Sequence, residues 1–233
     1  MGQQVPLTIS TITRENASVA FAITERYDTI QARLAAGEFY EEIELRKISA
    51  LVGGDRVILD IGANIGNHAL YFSKMMQAKQ VYVVEPNDYA IAALKANIAL
   101  NNISNINCKF LGLALSDRVG CGTMSQQYTG NLGSAQFQYL GFGNVPSLPG
   151  DLIFENLDFS LIKIDVEGME LRVLAGLQRT IERCRPWIFV EMHDKLSDEF
   201  VSWRSKMKYS VKWRHKRYSD NENFLLCPNE LTE

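Results

Sequence analysis

Five short, largely apolar segments constrain this chain's fold more than any other feature. They are Val57-Ile58-Leu59-Asp60-Ile61, Val81-Tyr82-Val83-Val84, residues 106–113, Leu161-Ile162-Lys163-Ile164 and residues 187–192. A strand with one solvated face alternates apolar and polar side chains, whereas a continuous run marks a strand buried on both faces. Between the runs the sequence reads as helix: residues 67–78, then 88–100 with Asn87 or Asp88 as N-cap, then Leu171, Leu174, Leu177, Ile181 and Cys184 at spacings of three and four. Strands alternating with helices build βαβ units and right-handed crossovers, so the expected fold is doubly wound α/β with a parallel sheet.

The first fifty residues precede this rhythm. Two alternating runs around Arg14-Glu15-Asn16 predict a small hairpin, and two helices follow, ending at Gly37 and at Gly53-Gly54. The expected division is residues 1–52 as an N-terminal hairpin and helical cap, and residues 53–233 as the main domain. Hydrophobic residues at 46% and charged residues at 22% suit a packed core rather than disorder. No apolar stretch is long enough to span a bilayer, the N-terminus lacks the features of a secretory signal, and four scattered cysteines make no metal or disulfide pattern. The expectation is a cytoplasmic protein without a membrane partner.

In such sheets ligands sit beyond the carboxyl ends of the strands. The first loop reads Asp60-Ile61-Gly62-Ala63-Asn64-Ile65-Gly66-Asn67. Asn64 and Asn67 occupy two glycine positions that a dinucleotide fingerprint requires, and no Gly-Lys-Ser/Thr follows for a P-loop. Asp60, at the tip of the first strand, would repel a phosphate and attract a cation. S-adenosylmethionine carries an ammonium and a sulfonium, together with a carboxylate suited to backbone N–H groups at a helix start. Glu85 ends the next strand, where a carboxylate can accept both ribose hydroxyls. The two acids on consecutive strands predict an S-adenosylmethionine site.

These residues carry a family resemblance. The Val57 to His68 segment, Val84-Glu85-Pro86-Asn87, Ala114-Leu115-Ser116-Asp117 and Ile162-Lys163-Ile164-Asp165-Val166-Glu167-Gly168 resemble the FkbM family of S-adenosylmethionine-dependent methyltransferases. Gly37-Glu38-Phe39-Tyr40-Glu41 is similar to the segment that family places before its first strand. The resemblance implies a mostly parallel seven-stranded Rossmann-like sheet of the class I methyltransferase type, with an antiparallel C-terminal strand. It also implies O-methylation of a small molecule or sugar. The expected cofactor residues are Asp60, Gly62, Asn64, Gly66, Asn67, Glu85, Pro86, Leu115, Ser116 and Asp117, with Leu115 against the adenine and Ser116 or Asp117 on its amine. Asn131 and Gly133 match an Asn-x-Gly of the family and, with Tyr40, Glu41 and His68, are the expected substrate contacts.

Catalytic groups should project from the fourth and fifth strand tips. Asp165 and Glu191 stand there, with His193 two residues further on. Asp165 and Glu191, with Glu167, could hold a hard divalent cation such as Mg²⁺; alternatively His193 is a general base. Residues 118–160, rich in Gly, Ser, Asn and Gln, read as a long crossover contributing to the acceptor pocket.

Near the C-terminus seven cations (Arg204, Lys206, Lys208, Lys212, Arg214, Lys216 and Arg217) interleave with Trp203, Tyr209 and Trp213. The alternation of Met207, Tyr209, Val211 and Trp213 with lysines predicts an antiparallel edge strand protected by charge, rather than a nucleic-acid surface. The expected partner is a small-molecule or glycan acceptor. An amine acceptor is the nearest alternative, since it needs no strong base.

Overall fold

The computed structural model describes residues 8–15, 17–125 and 132–231. Strands β1 (Thr8–Arg14) and β2 (Ala17–Ile23) form the expected hairpin, followed by helices α1 (Thr29–Ala35) and α2 (Glu42–Val52). Then come β3 (Val57–Ile61), α3 (Asn67–Lys74), β4 (Gln80–Glu85), α4 (Asp88–Leu100) and β5 (Ile106–Leu111). Four short strands follow: β6 (Ala114–Leu115), β7 (Gly120–Met124), β8 (Phe137–Tyr139) and β9 (Val145–Leu148). The chain continues through β10 (Leu161–Ile164), α5 (Glu170–Gly176), α6 (Gln178–Cys184), β11 (Trp187–His193), α7 (Ser197–Met207), β12 (Tyr209–His215) and β13 (Asn221–Pro228).

The main sheet has seven strands in the order β12-β13-β11-β10-β3-β4-β5. The five predicted strands pair in parallel from β11 to the β5 edge, and β13 runs antiparallel to both of its neighbours. Successive residues of a strand point to opposite faces. Ile58, Val81 and Phe189 accordingly enter a core beneath the N-terminal hairpin, α2 and α3, while Leu59, Val84, Ile162 and Val190 enter a second core beneath α5 and α6. The hairpin's Ile12, Val19 and Phe21 are sealed in the first of these cores, and β2 packs on α3 and α4, with Ala22 N donating to Asn97 Oδ1 of α4 at 2.8 Å.

Three expectations require correction. The described residues of 118–160 do not run as a structureless crossover, because β9 pairs with β6 and β7, and β7 with β8, in a separate mixed sheet of order β6-β9-β7-β8. The helix after β10 breaks at Leu177, which ends α5 and starts α6. The basic ribbon is only half strand. Arg204, Lys206 and Met207 belong to α7, Lys208 turns the chain at φ 58°, and a bulge between Val211 and Trp213 interrupts the alternation of β12. Lys212 and Arg214 still face solvent on an edge strand, where charge discourages edge-to-edge pairing. No helix among the described residues is long and apolar enough to cross a membrane.

Candidate active site

The loop after β3 is bound down by its neighbours. Gly62 and Ala63 both donate their N–H to Val84 O, at 2.9 and 3.1 Å. Gly62 adopts φ +76°, and a Cβ there would lie within van der Waals overlap of the Asp165 carbonyl oxygen. The two loops that leave β3 and β10 therefore touch backbone to backbone, which only glycine permits. Gly62→Ala is expected to lose about 2–5 kcal/mol through left-handed strain and overpacking, and to displace Asp165. A thermal melt read beside ligand titration checks this; an unchanged melting temperature contradicts it.

Glu85 lies at the tip of β4 with both carboxylate oxygens anchored. Oε2 accepts from Asn64 N and Oε1 from Asn87 N, each at 2.8 Å. Each oxygen keeps a second lone pair for a ligand. Burial pushes this carboxyl up to about 7, against the pull of its two backbone N–H bonds. Glu85, Pro86, Gly62, Asn64 and Leu115 line one cleft, closed on its far side by Met124 and Phe137. Asn64, at φ 49°, places a buried Oδ1 in that cleft with no hydrogen-bond partner.

Asp60 is placed differently from expectation. It is 0% exposed, and its Oδ1 lies 3.2 Å from Lys163 Nζ. Lys163 Nζ also donates to Gly62 O at 2.7 Å and sits 3.5 Å from Asp165 Oδ2. Burial opposes the lysine's charge, but Asp60 and Asp165 outweigh it and hold its pKa above the ordinary lysine value. Asp60 thus stands behind the loop, one layer from the cleft wall. Gly66 and Asn67 start α3, also behind the wall. Ser116 is buried and donates to Asp117 Oδ1 at 2.9 Å, while Asp117 pairs with Arg118 at 3.3 Å; neither lines the cleft.

A second cavity of about 280 Å³ adjoins the first and shares Gly133, Asp165 and Glu167 with it. Thr29, Tyr40, Glu41, Ser134, Glu191, Tyr218 and Asn221 complete its polar lining. The structure brings Asp165, Glu167 and Glu191 together, one oxygen of each within 4.8 Å of the others. Burial and the Asp165 charge push Glu167 up to about 8 and Glu191 up to about 9. His193 does not join them. Its Nδ1 accepts from Lys195 N at 3.1 Å and its Nε2 faces Asp220 at 3.8 Å, so it caps the following turn and lines a different cavity. With Nδ1 accepting, the neutral ring carries its proton on Nε2 and offers no free base. His68 is 2% exposed, behind Glu41. Asn131 lies outside the described residues.

With this geometry fixed, comparison with known proteins is decisive at the family level. The sequence profile of the Methyltransferase FkbM domain matches residues 60–219. The chain belongs to the FkbM methyltransferase family. The match begins at Asp60 and takes in both cavities except the N-terminal residues Thr29 to Glu41 and Asn221. The hexuronic acid methyltransferase AglP of Haloferax volcanii is 27% identical over 142 residues, 60% of this chain and 56% of that protein. The FkbM methyltransferase structure from Methylobacillus flagellatus superposes with TM-score 0.52 at 20% identity, over 73% of this chain and 43% of that one. A tRNA m1G37 methyltransferase structure from M. jannaschii gives TM-score 0.55 at 15% identity, over 98% and 59%. This FkbM chain therefore spans about half the length of these relatives, and at such identities the structures share its methyltransferase-like α/β fold.

Several site residues were not singled out from the FkbM sequence. Met124, Ala135 and Phe137 line the first cleft, and Thr29, Ile30, Tyr218 and Asn221 the second. Nothing local marks them, because they arrive from the small sheet and the loop before β8, from α1, and from the turn before β13 and its first residue. Lys163 did carry a signal: a lysine within a doubly buried strand requires a carboxylate, and its register partner on β3 is Asp60.

Proposed function

We propose that this FkbM-family protein transfers a methyl group from S-adenosylmethionine to a hydroxyl of a small molecule or sugar. The observation that carries the reading is Glu85: a strand-tip carboxylate, fixed by two backbone N–H groups, with a free lone pair on each oxygen and the unpartnered Asn64 Oδ1 in the same cleft. Gly62, Asn64, Glu85, Pro86 and Leu115 would hold the donor, with Leu115 and Phe137 as apolar walls for its base. Asp60, Gly66, Asn67, Ser116 and Asp117 shape that cleft from behind. Bound there, the donor supplies an electrophilic methyl carbon on a sulfonium.

The adjoining cavity would take the acceptor, because it shares Asp165, Glu167 and Gly133 with the donor cleft. Its hydroxyl, amide and carboxyl lining suits a hydroxyl-rich molecule, in keeping with the acceptor in the name of the Haloferax volcanii relative. The chain's contribution is to orient the acceptor, exclude water and receive a proton; positioning alone can supply several kcal/mol (about 7–11 at best). Isotope-labelled S-adenosylmethionine offered with methyl hexosides and uronates tests the reading: a labelled methyl ether supports it, and label found only on an amine product overturns O-transfer.

Asp165, Glu167 and Glu191 also fit a hard divalent cation such as Mg²⁺. Oxygen ligands about 2.0–2.6 Å from one ion can lie up to about 5 Å apart, as these do. Exhaustive chelation is expected to abolish turnover and added Mg²⁺ to restore it. Turnover indifferent to chelation would leave the three carboxylates without a metal role.

A further inference from the structure

The Glu41 carboxylate is buried at 5% exposure, yet it lines the acceptor cavity. It occupies the position before α2 in a left-handed conformation, φ 59°, and its side chain does not cap the helix. A glutamate held this way costs about 1–2 kcal/mol of backbone strain, and burial adds a desolvation cost. Its partners come from distant parts of the chain. Asn223 Nδ2 donates to Oε1 at 3.1 Å, His68 Nε2 lies 3.1 Å from Oε2, and Arg217 Nε is 4.0 Å from Oε1. Asn223 is the register partner of Glu191, which sets Glu41 across the cavity from the carboxylates at the strand tips. His68, 2% exposed, has its ring near Phe72 and Phe189, and neither ring nitrogen is in hydrogen-bond geometry to another group, so its approach to Glu41 Oε2 is one of proximity. An apolar pair would pack here at lower cost, so a carboxylate that lines the cavity with a buried imidazole behind it points to a chemical task.

We propose that Glu41 accepts the proton of the acceptor hydroxyl, with His68 and Asn223 as positioning residues that hold its carboxylate. The inference rests on reading this cavity as the acceptor site. As the hydroxyl oxygen bonds to the methyl carbon, the carbon–sulfur electron pair returns to sulfur and the hydroxyl proton passes to Glu41. One positive sulfonium and one carboxylate become a neutral thioether and a neutral acid, so no net charge is created in the cavity. The proton then leaves to water through the cavity mouth. Asp165 is less suited to this step, because Lys163 already claims it at 3.5 Å. The charged or titratable groups facing Glu41 are His68, Arg217, Tyr40, Lys163, Asp165, Glu167 and Glu191.

Two measurements test this. The chain has only three histidines, so ¹⁵N-histidine labelling resolves His68 without any acceptor. In Glu41→Gln the His68 ring signals should shift, while those of His193 stay unmoved. On the hexoside that the wild type methylates fastest, Glu41→Gln should lower kcat about 10²-fold, with KM and S-adenosylhomocysteine affinity within about threefold. Glu41→Asp should recover part of the rate, and His68→Gln should displace the acid limb of the kcat profile. Unmoved His68 signals, or turnover of Glu41→Gln within about twofold of the wild type, overturns the proposal. A wild-type protein that fails to bind S-adenosylhomocysteine would instead remove the methyltransferase reading, whatever Glu41 does.

Discussion

Replacing Lys163 with methionine should destabilise the protein by about 3–5 kcal/mol, the largest single-residue effect expected outside the apolar core. Lys163 is 2% exposed and Asp60 is 0% exposed, and the 3.2 Å pair lies between two parallel central strands. Methionine fills most of the lysine's volume, so the loss is electrostatic rather than a cavity. It leaves Asp60 charged and dry, with neither oxygen in hydrogen-bond geometry to any other group. For a chain of 233 residues this corresponds to a fall in melting temperature of about 6–20 °C. The double variant Lys163→Met with Asp60→Asn should regain more than half of the loss, since a neutral amide costs less to bury. A single variant that melts within about 2 °C of the wild type would show that the pair does not hold the loop.

The second large effect concerns Glu85. Glu85→Ala is expected to weaken binding of the methyl donor about 100-fold or more, as two charge-assisted hydrogen bonds to hydroxyls are lost at about 1.5–3 kcal/mol each. Glu85→Gln keeps the shape, loses less affinity and separates the charge from the packing. Burial holds this carboxyl at about 7, above its ordinary range, so the sign of the pH effect is fixed. Below that value the folded protein carries a proton on Glu85; above it the group is ionised and ready to accept two hydroxyls. Donor affinity should therefore rise about tenfold from pH 6 to pH 8, in proportion to the ionised fraction. Stability runs the other way. The folded state holds this proton more tightly than the unfolded chain, so Glu85's contribution is fully present below the unfolded carboxyl range and is lost as pH rises through about 7. Calorimetry at the two pH values reads the first effect; an affinity that does not change with pH contradicts it.

Much of the frame was legible because burial on both faces of a strand leaves a direct trace. Residues 57–61 and 161–164 were expected as strands and are strands, and α4 spans the expected Asp88–Leu100 with Asn87 accepting from Tyr89 N as its cap. Glu85 at its strand tip was legible for the same reason, since the end of an apolar run marks the end of a strand. The small sheet was not legible. Its strands are three to five residues long apart from the two-residue β6, and their glycines and polar residues look like loop. Asp60 was read from its position in the chain, but its surroundings depend on the register between β3 and β10, which no local pattern encodes. His193 misled because it is the last residue of β11, where the chain turns away and uses the imidazole as a cap. The same long-range packing that hid Asn223 from Glu41, 182 residues apart, also built the second cavity, from segments as distant as Thr29 and Asn221.

The most direct measurement is a calorimetric titration at pH 8 of the wild type and of Glu85→Ala with S-adenosylhomocysteine, NAD and a short oligonucleotide in parallel. One equivalent of S-adenosylhomocysteine should bind the wild type, only weakly the variant, and neither of the other two ligands should bind. No heat with S-adenosylhomocysteine, or equal binding by wild type and variant, would contradict a donor site built on the Glu85 carboxylate.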